Sequence, residues 1–388
     1  MSEGAGGRET TGDVECPTCH ERVPSLPFCV RCGSHLLRAG GEPHSRRDHF
    51  AAAPSESVGS IRVISTLFPH LPRADMEGFR VALALGTAVV TALGLAGLFG
   101  VGVIAAAVLV PLLCALYMYD VDLYEGEPLP VWLFTALSGG VLGAAMGVLI
   151  RAIGPGISIG PGSGFGSRVL FYGIVVPLAD GVLLLVGPLV LLRHRLFNDV
   201  LDGTTFGVTS GVCLVGAQTI VLAVPLLAGG LRPAGAASAW VYRLLELGVA
   251  LPLIAAGAGG GTAAALWLRF RSPRRDERRL RRWAHPVVAG GLGAAALVGA
   301  SLIQLYVHGL LALVCLLVLA AVALLLLRLL IHFGLLQEAS EIPIGPDIVC
   351  ANCGHPTPRH TFCGWCGVAL RALPKGRVSG ADRLDQRS

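Results

Sequence analysis

Eight of the eleven cysteines fall in two copies of one pattern. Residues 16–36 read CPTCHERVPSLPFCVRCGSHL and residues 350–370 read CANCGHPTPRHTFCGWCGVAL. In both, nine residues separate two Cys-x2-Cys pairs, and every matching position is 334 residues apart. The copies also share Phe28 or Phe362 before the third cysteine, Gly33 or Gly367 after the fourth, and Leu36 or Leu370 three residues on. A Cys-x2-Cys knuckle curls so that both thiolates face one ion, and two knuckles complete a tetrahedral S4 site. Glycine after a knuckle permits the left-handed turn that closes it. The expected ligands are Cys16, Cys19, Cys29 and Cys32 at one end and Cys350, Cys353, Cys363 and Cys366 at the other, holding two structural zinc ions. A 21-residue module cannot build a core of its own, so each ribbon is expected to fold on its own ion. Whether the two ribbons pair is open at this point. His20, His35, His355 and His360 lie close by, but four thiolates already complete each site. Cys114, Cys213 and Cys315 stand singly in apolar runs, where a free cysteine behaves as a small hydrophobe.

A second candidate is one acid in the wrong solvent. The stretch VPLADGVLLLVGP (176–188) places Asp180 between Arg168 and Arg193, about 18 Å from either at the helical rise, near the middle of a bilayer. A charge at that depth costs at least ~2.5 kcal/mol, so an intramembrane carboxylate is a functional candidate by default. Gln218, in the next apolar run, is its expected hydrogen-bond partner. A third group, Asp120, Asp122, Glu125 and Glu127 in YMYDVDLYEGEP (117–128), could hold a cation. On spacing alone it reads as a solvated acidic turn capping the following helix.

The elements that must position these residues are set by composition. With 53% apolar and 14% charged residues among 388, the chain departs far from a soluble globular average. Apolar runs matched to a span of roughly 20 residues fall near 81–99, 101–119, 129–150, 168–192, 203–227, 247–268, 287–307 and 309–332. The expected fold is an all-α polytopic membrane protein of about eight transmembrane helices with a four-cysteine zinc ribbon at each terminus. Its expected parts are an N-terminal ribbon at 14–37, a flexible linker and interfacial helix at 38–75, a membrane domain at 76–335, a C-terminal ribbon at 348–371, and a polar tail at 372–388. The first 80 residues hold no continuous apolar stretch, so the first hydrophobic helix is expected to set the orientation. Arg193 and Arg195 follow the fourth run and RFRSPRRDERRLRR (269–282) the sixth. This bias puts those loops and, with an even count, both termini in the cytoplasm. Beside a membrane such a run means topology and attraction to anionic lipid rather than nucleic-acid binding. The turn near Gly100–Gly102 is where the count is most exposed to change. Glycines at four-residue spacing (Gly139, Gly143, Gly147; Gly203, Gly207, Gly211) predict close helix packing.

The order Tyr-x-x-Asp-x-Tyr-Glu-x-Glu-Pro (119–128), then Asp-x-x-Asp-Gly-x3-Gly-x3-Gly (199–211), resembles the PrsW family of intramembrane metalloproteases over roughly 75–270. The resemblance implies a multi-pass membrane domain around a hydrolytic metal site. Family positions carry over unevenly. Where the family has Glu-Glu-x-x-Lys, this chain has Asp180-Gly181-Val182-Leu183-Leu184, and where it has Glu-Asn, this chain has Gln218-Thr219. The family's histidine in the following helix has no counterpart, since none occurs between His194 and His285. A hydrolytic metal needs nitrogen or carboxylate ligands, an open position for water and a base. The set Asp180, Gln218, Asp120, Glu125 and Glu127 reads as a remnant site with no catalytic residue assigned. The expected role is a binding or scaffolding protein whose ribbons meet a cytosolic protein while the membrane core engages lipid or a transmembrane helix. An active metallopeptidase using the residual acids is the alternative.

Overall fold

The computed structural model describes residues 13–17, 21–36, 49–67, 77–120, 129–153, 164–194, 197, 199–228, 237–271, 284–338, 344–370 and 373. Two compact units result: one built from both ends of the chain, Met1–Gly59 with Leu335–Leu373, and a helical unit over Ser60–Gly334.

In the helical unit, eight helices among the described residues are long and apolar enough to cross a membrane: Gly78–Leu95, Phe99–Tyr117, Pro130–Ile153, Gly166–Leu191, Val200–Pro225, Ala239–Phe270, Pro286–Tyr306 and Gly309–Leu336. These are the runs read from the sequence, with two informative shifts. The first hairpin turns at Ala96–Leu98 rather than at Gly100–Gly102. Gly97 adopts φ +71°, Gly97 N–H donates to Gly94 O at 3.1 Å, and Leu98 N–H donates to Leu93 O at 2.9 Å. This paired closure, which needs a left-handed residue, is the Schellman end of a helix. The sixth span begins at Ala239, eight residues before the sequence reading put it. Arg243 and Glu246 therefore lie inside it, tolerated because they neutralise each other at 3.1 Å one turn apart.

Proline places the other irregularities. The fourth span is composed of α5 (Gly164–Arg168), a π-helical segment Val169–Val175, α6 (Val176–Leu183) and α7 (Val186–Leu191). The sixth is composed of α9 (Ala237–Leu245), a π-helical segment Glu246–Ala250 and α10 (Leu251–Phe270). Each π segment ends just before a proline, Pro177 or Pro252. A proline ring has no N–H to donate and crowds the carbonyl four residues back, and a widened turn relieves that clash. Pro188 interrupts the fourth span differently, at Leu184–Leu185 between α6 and α7, where the turn tightens and Leu185 N–H donates to Val182 O at 3.1 Å.

Span five, α8 (Val200–Ala228), lies at the centre, packed against α3 (Phe99–Asp120), α4 (Leu129–Ile153) and α10. A Cβ on Gly143 would collide with the Leu214 carbonyl, and one on Gly207 with the Gly259 carbonyl. The glycine spacing thus serves backbone-to-backbone approach. Asp199 and Asp202 form the N-terminal cap of α8. The Asp199 carboxylate accepts from Leu201 N–H at 3.3 Å, and Asp202 accepts from Asp199 N–H at 3.1 Å, a reciprocal capping arrangement. The short helix α1 (Val63–Leu67) is secured by the buried Arg328 of the last span, α12 (Gly309–Glu338). Arg328 donates to Ser65 Oγ at 2.9 Å and Thr66 Oγ1 at 3.2 Å.

Among its described residues the unit made from the chain ends holds three two-stranded sheets: β1 (Asp13–Glu15) with β2 (Arg22–Pro24), β3 (His49–Phe50) with β4 (Ala53–Ser57), and β5 (Asp347–Val349) with β6 (Pro356–Pro358). The hairpin of β3 and β4 lies in the stretch expected to be a flexible linker. Phe50 is fully buried, and Ala51 O accepts from Ala369 N–H at 3.0 Å. A buried aromatic and a shared backbone bond make this segment part of the folded unit.

Candidate functional site

The two ribbons are conformational twins. Their strand registers match under the 334-residue offset: Asp13 opposite Pro24 corresponds to Asp347 opposite Pro358. Knuckle bonds match too. Cys16 N–H to Glu21 O (3.0 Å) repeats as Cys350 N–H to His355 O (3.0 Å), and Gly33 N–H to Cys29 O (2.6 Å) repeats as Gly367 N–H to Cys363 O (2.9 Å). Gly33 and Gly367 take φ of +60° and +70°, the left-handed closure expected after each fourth cysteine.

Cys350, Cys353, Cys363 and Cys366 bring their Sγ atoms within 4.8 Å of one another, as do Cys16, Cys29 and Cys32; Cys19 lies outside the described residues. Individual Sγ separations are 3.9 Å for Cys350–Cys366, 3.7 Å for Cys353–Cys363 and 3.6 Å for Cys16–Cys32. A tetrahedron of sulfurs about 2.3 Å from a central ion has edges of about 3.8 Å, whereas a disulfide needs about 2.05 Å. The spacing fits a shared metal ion. One thiol in each cluster takes negative charge most readily. The hydrogen-bonded Cys29 thiol, with the Ser34 hydroxyl, holds Cys32 down to about 4, and Cys350 and Cys363 drive Cys366 low.

The ribbons also pair with each other, which sequence spacing left open. Phe28 N–H donates to Gly364 O at 2.8 Å, and Phe362 N–H donates to Val30 O at 3.0 Å. Under the 334-residue offset these bonds are images of one another, so the contact is a pseudo-twofold one, antiparallel, within a single chain. His360 Nδ1 lies 2.9 Å from Val30 O. Gly364 abuts Leu26, and Gly367 abuts Phe28. The two ribbons thus belong to one compact unit with two cysteine clusters, in which each lends the other backbone partners and apolar cover.

In the helical unit, Gln218 Nε2 donates to both Asp180 carboxylate oxygens, at 3.2 and 3.4 Å, and both residues are buried. They line a cavity of about 460 Å³, together with Arg168, Tyr172, Arg243 and Gln304. The two π segments contribute Tyr172 and Leu247 to its walls. Gln304 Nε2 is buried with no hydrogen-bond partner among the described residues. Sequence reading missed Arg243, Glu246 and Gln304; polar residues inside apolar runs were the available signal. Asp120 ends α3, while Glu125 and Glu127 lie outside the described residues.

No protein-family model, curated protein or solved structure matches this chain.

Proposed function

We propose that this integral membrane protein is a non-catalytic, PrsW-like binding or scaffolding protein. Its paired ribbons carry two structural zinc ions at the cytoplasmic face of the cell membrane and recruit a cytosolic protein partner. The membrane cavity receives lipid or part of a transmembrane helix. The observation that carries this reading is the donor set around Asp180. The cavity's one carboxylate is engaged by an amide N–H donor, Gln218 Nε2, which cannot serve as a ligand. The nearby acid Glu246 is engaged by Arg243. Groups of three or more metal-ligand side chains among the described residues are the two cysteine clusters. Zinc suits those clusters because four thiolates in a reducing compartment favour it over disulfide formation.

A second reading, an active PrsW-type metallopeptidase, draws support from the two π segments flanking the cavity, a feature frequent at functional sites. Metal content per chain separates the readings. The scaffold predicts two zinc ions, both lost when Cys16, Cys29, Cys350 and Cys363 are changed to serine. A third ion that survives those changes would establish the enzyme.

A further inference from the structure

The twin ribbons differ in charge or aromatic character at four corresponding positions. Glu15, Glu21, Arg22 and Arg31 of the N-terminal ribbon correspond to Val349, His355, Pro356 and Trp365 of the C-terminal one. In the first ribbon these residues make a charged face, with Glu15 opposite Arg22 across the strands and Arg31 bonded to Glu21 at 2.6 Å. In the second the same positions make a continuous apolar and aromatic face. Val349 stands opposite Pro356, Trp365 Nε1 donates to Pro356 O at 2.9 Å, and His355 stacks on Trp365 at 5.2 Å. Val349 is 72% exposed and Trp365 41% exposed.

We infer that this face docks the C-terminal ribbon onto the surface of an anionic bilayer. Three observations select that occupant. The first is reach. Nine residue steps separate Glu338, the end of α12, from Asp347, the start of β5, and an extended chain covers about 30 Å in that length. The second is the indole. Its single N–H is already satisfied by Pro356 O, so its exposed edge needs no further polar partner and suits the headgroup boundary where tryptophan concentrates. The third is charge. In the ribbon itself, from β5 to residue 370, one carboxylate, Asp347, stands against the exposed Arg359, and from 371 onward five basic residues stand against two acidic ones. Such a balance is attracted to anionic headgroups. This docking leaves the charged face of the N-terminal ribbon to a protein partner.

The test uses the full chain in nanodiscs of phosphatidylcholine and phosphatidylglycerol, with ordinary or acyl-brominated lipid. Subtracting the emission of Trp365→Phe isolates Trp365 from the other four tryptophans. Brominated lipid should quench at least half of that difference emission. Val349→Glu, the residue of the N-terminal twin, should remove most of the quenching while zinc content stays at the wild-type level. Equal Trp365 emission in both kinds of disc, with metal retained, overturns the inference and assigns the face to a protein. Undiminished quenching in Val349→Glu overturns it as well.

Discussion

Loss of one metal site should weaken the other, although the two sets of ligands lie 334 residues apart. In Cys16→Ser the N-terminal knuckle loses a ligand, and the segment Leu26–Val30 is no longer held in place by its metal. The C-terminal ribbon then gives up three cross-ribbon hydrogen bonds: Phe28 N–H to Gly364 O, Phe362 N–H to Val30 O, and the His360–Val30 contact. At about 1 kcal/mol net each these amount to about 3 kcal/mol, and the lost cover from Leu26 and Phe28 adds to it. At 1.4 kcal/mol per decade, zinc affinity at the intact C-terminal site should fall by about a hundredfold or more. The assay is chelator competition on the full chain in detergent micelles, comparing wild type, Cys16→Ser, and Leu26→Ala/Phe28→Ala, which keeps every thiolate. The last variant should show an intermediate loss. If the C-terminal site binds zinc equally well in all three proteins, the ribbons are energetically independent and the coupling argument fails.

Ser34→Ala should speed release of one of the two ions by about tenfold. The Ser34 hydroxyl lies 3.1 Å from both Cys16 and Cys32 Sγ, a contact of roughly 1.5 kcal/mol to charged sulfur, and the C-terminal site has Val368 in its place; two-phase chelation kinetics read this. Gly143→Ala should destabilise the membrane domain by about 1–3 kcal/mol, seen as a lower melting temperature in micelles, because its Cβ meets the Leu214 carbonyl. Arg328→Met should cost about 2 kcal/mol by removing the charged donor to Ser65 Oγ and Thr66 Oγ1, and protease susceptibility near α1 should rise with it. Asp180→Asn should leave melting unchanged because an amide oxygen still accepts from Gln218, whereas Asp180→Leu should cost about 1–3 kcal/mol for the stranded amide. The double variant with Gln218→Leu should recover most of that loss.

Much of this architecture was legible because its signals are local. Twenty-residue apolar runs give the eight spans, glycines at four-residue spacing give the backbone contacts of α8, and cysteine spacing gives the knuckles. What was not legible depends on partners remote in sequence. Nothing in FCVRC or FCGWC states that Phe28 will donate to Gly364, because that contact depends on two chain ends meeting. The hairpin at 49–57 was hidden for a related reason, since its buried Phe50 finds its cover only in the assembled unit. Span six was cut short at residue 247 because Arg243 and Glu246 read as loop, while in three dimensions one charge cancels the other.

The prolines link local sequence to the membrane cavity more directly than any acid does. Pro177 and Pro252 each withhold an N–H donor and crowd the carbonyl of the residue four back, Gly173 or Gly248. The chain answers with π turns at Val169–Val175 and Glu246–Ala250. A π turn is wider than an α turn and shifts the helix face beyond it, so each one rotates the side chains that follow. Pro177 and Asp180, beyond one turn, and Leu251 and Ile254, beyond the other, all line the same cavity. The space around Asp180 is therefore built by backbone geometry that persists whether or not the acid performs chemistry. The cavity walls and the chemistry within them are therefore separable: Asp180 meets the Gln218 amide in a space whose walls the two π turns help to set. It also means that replacing Asp180 tests the chemistry of the site without removing the cavity.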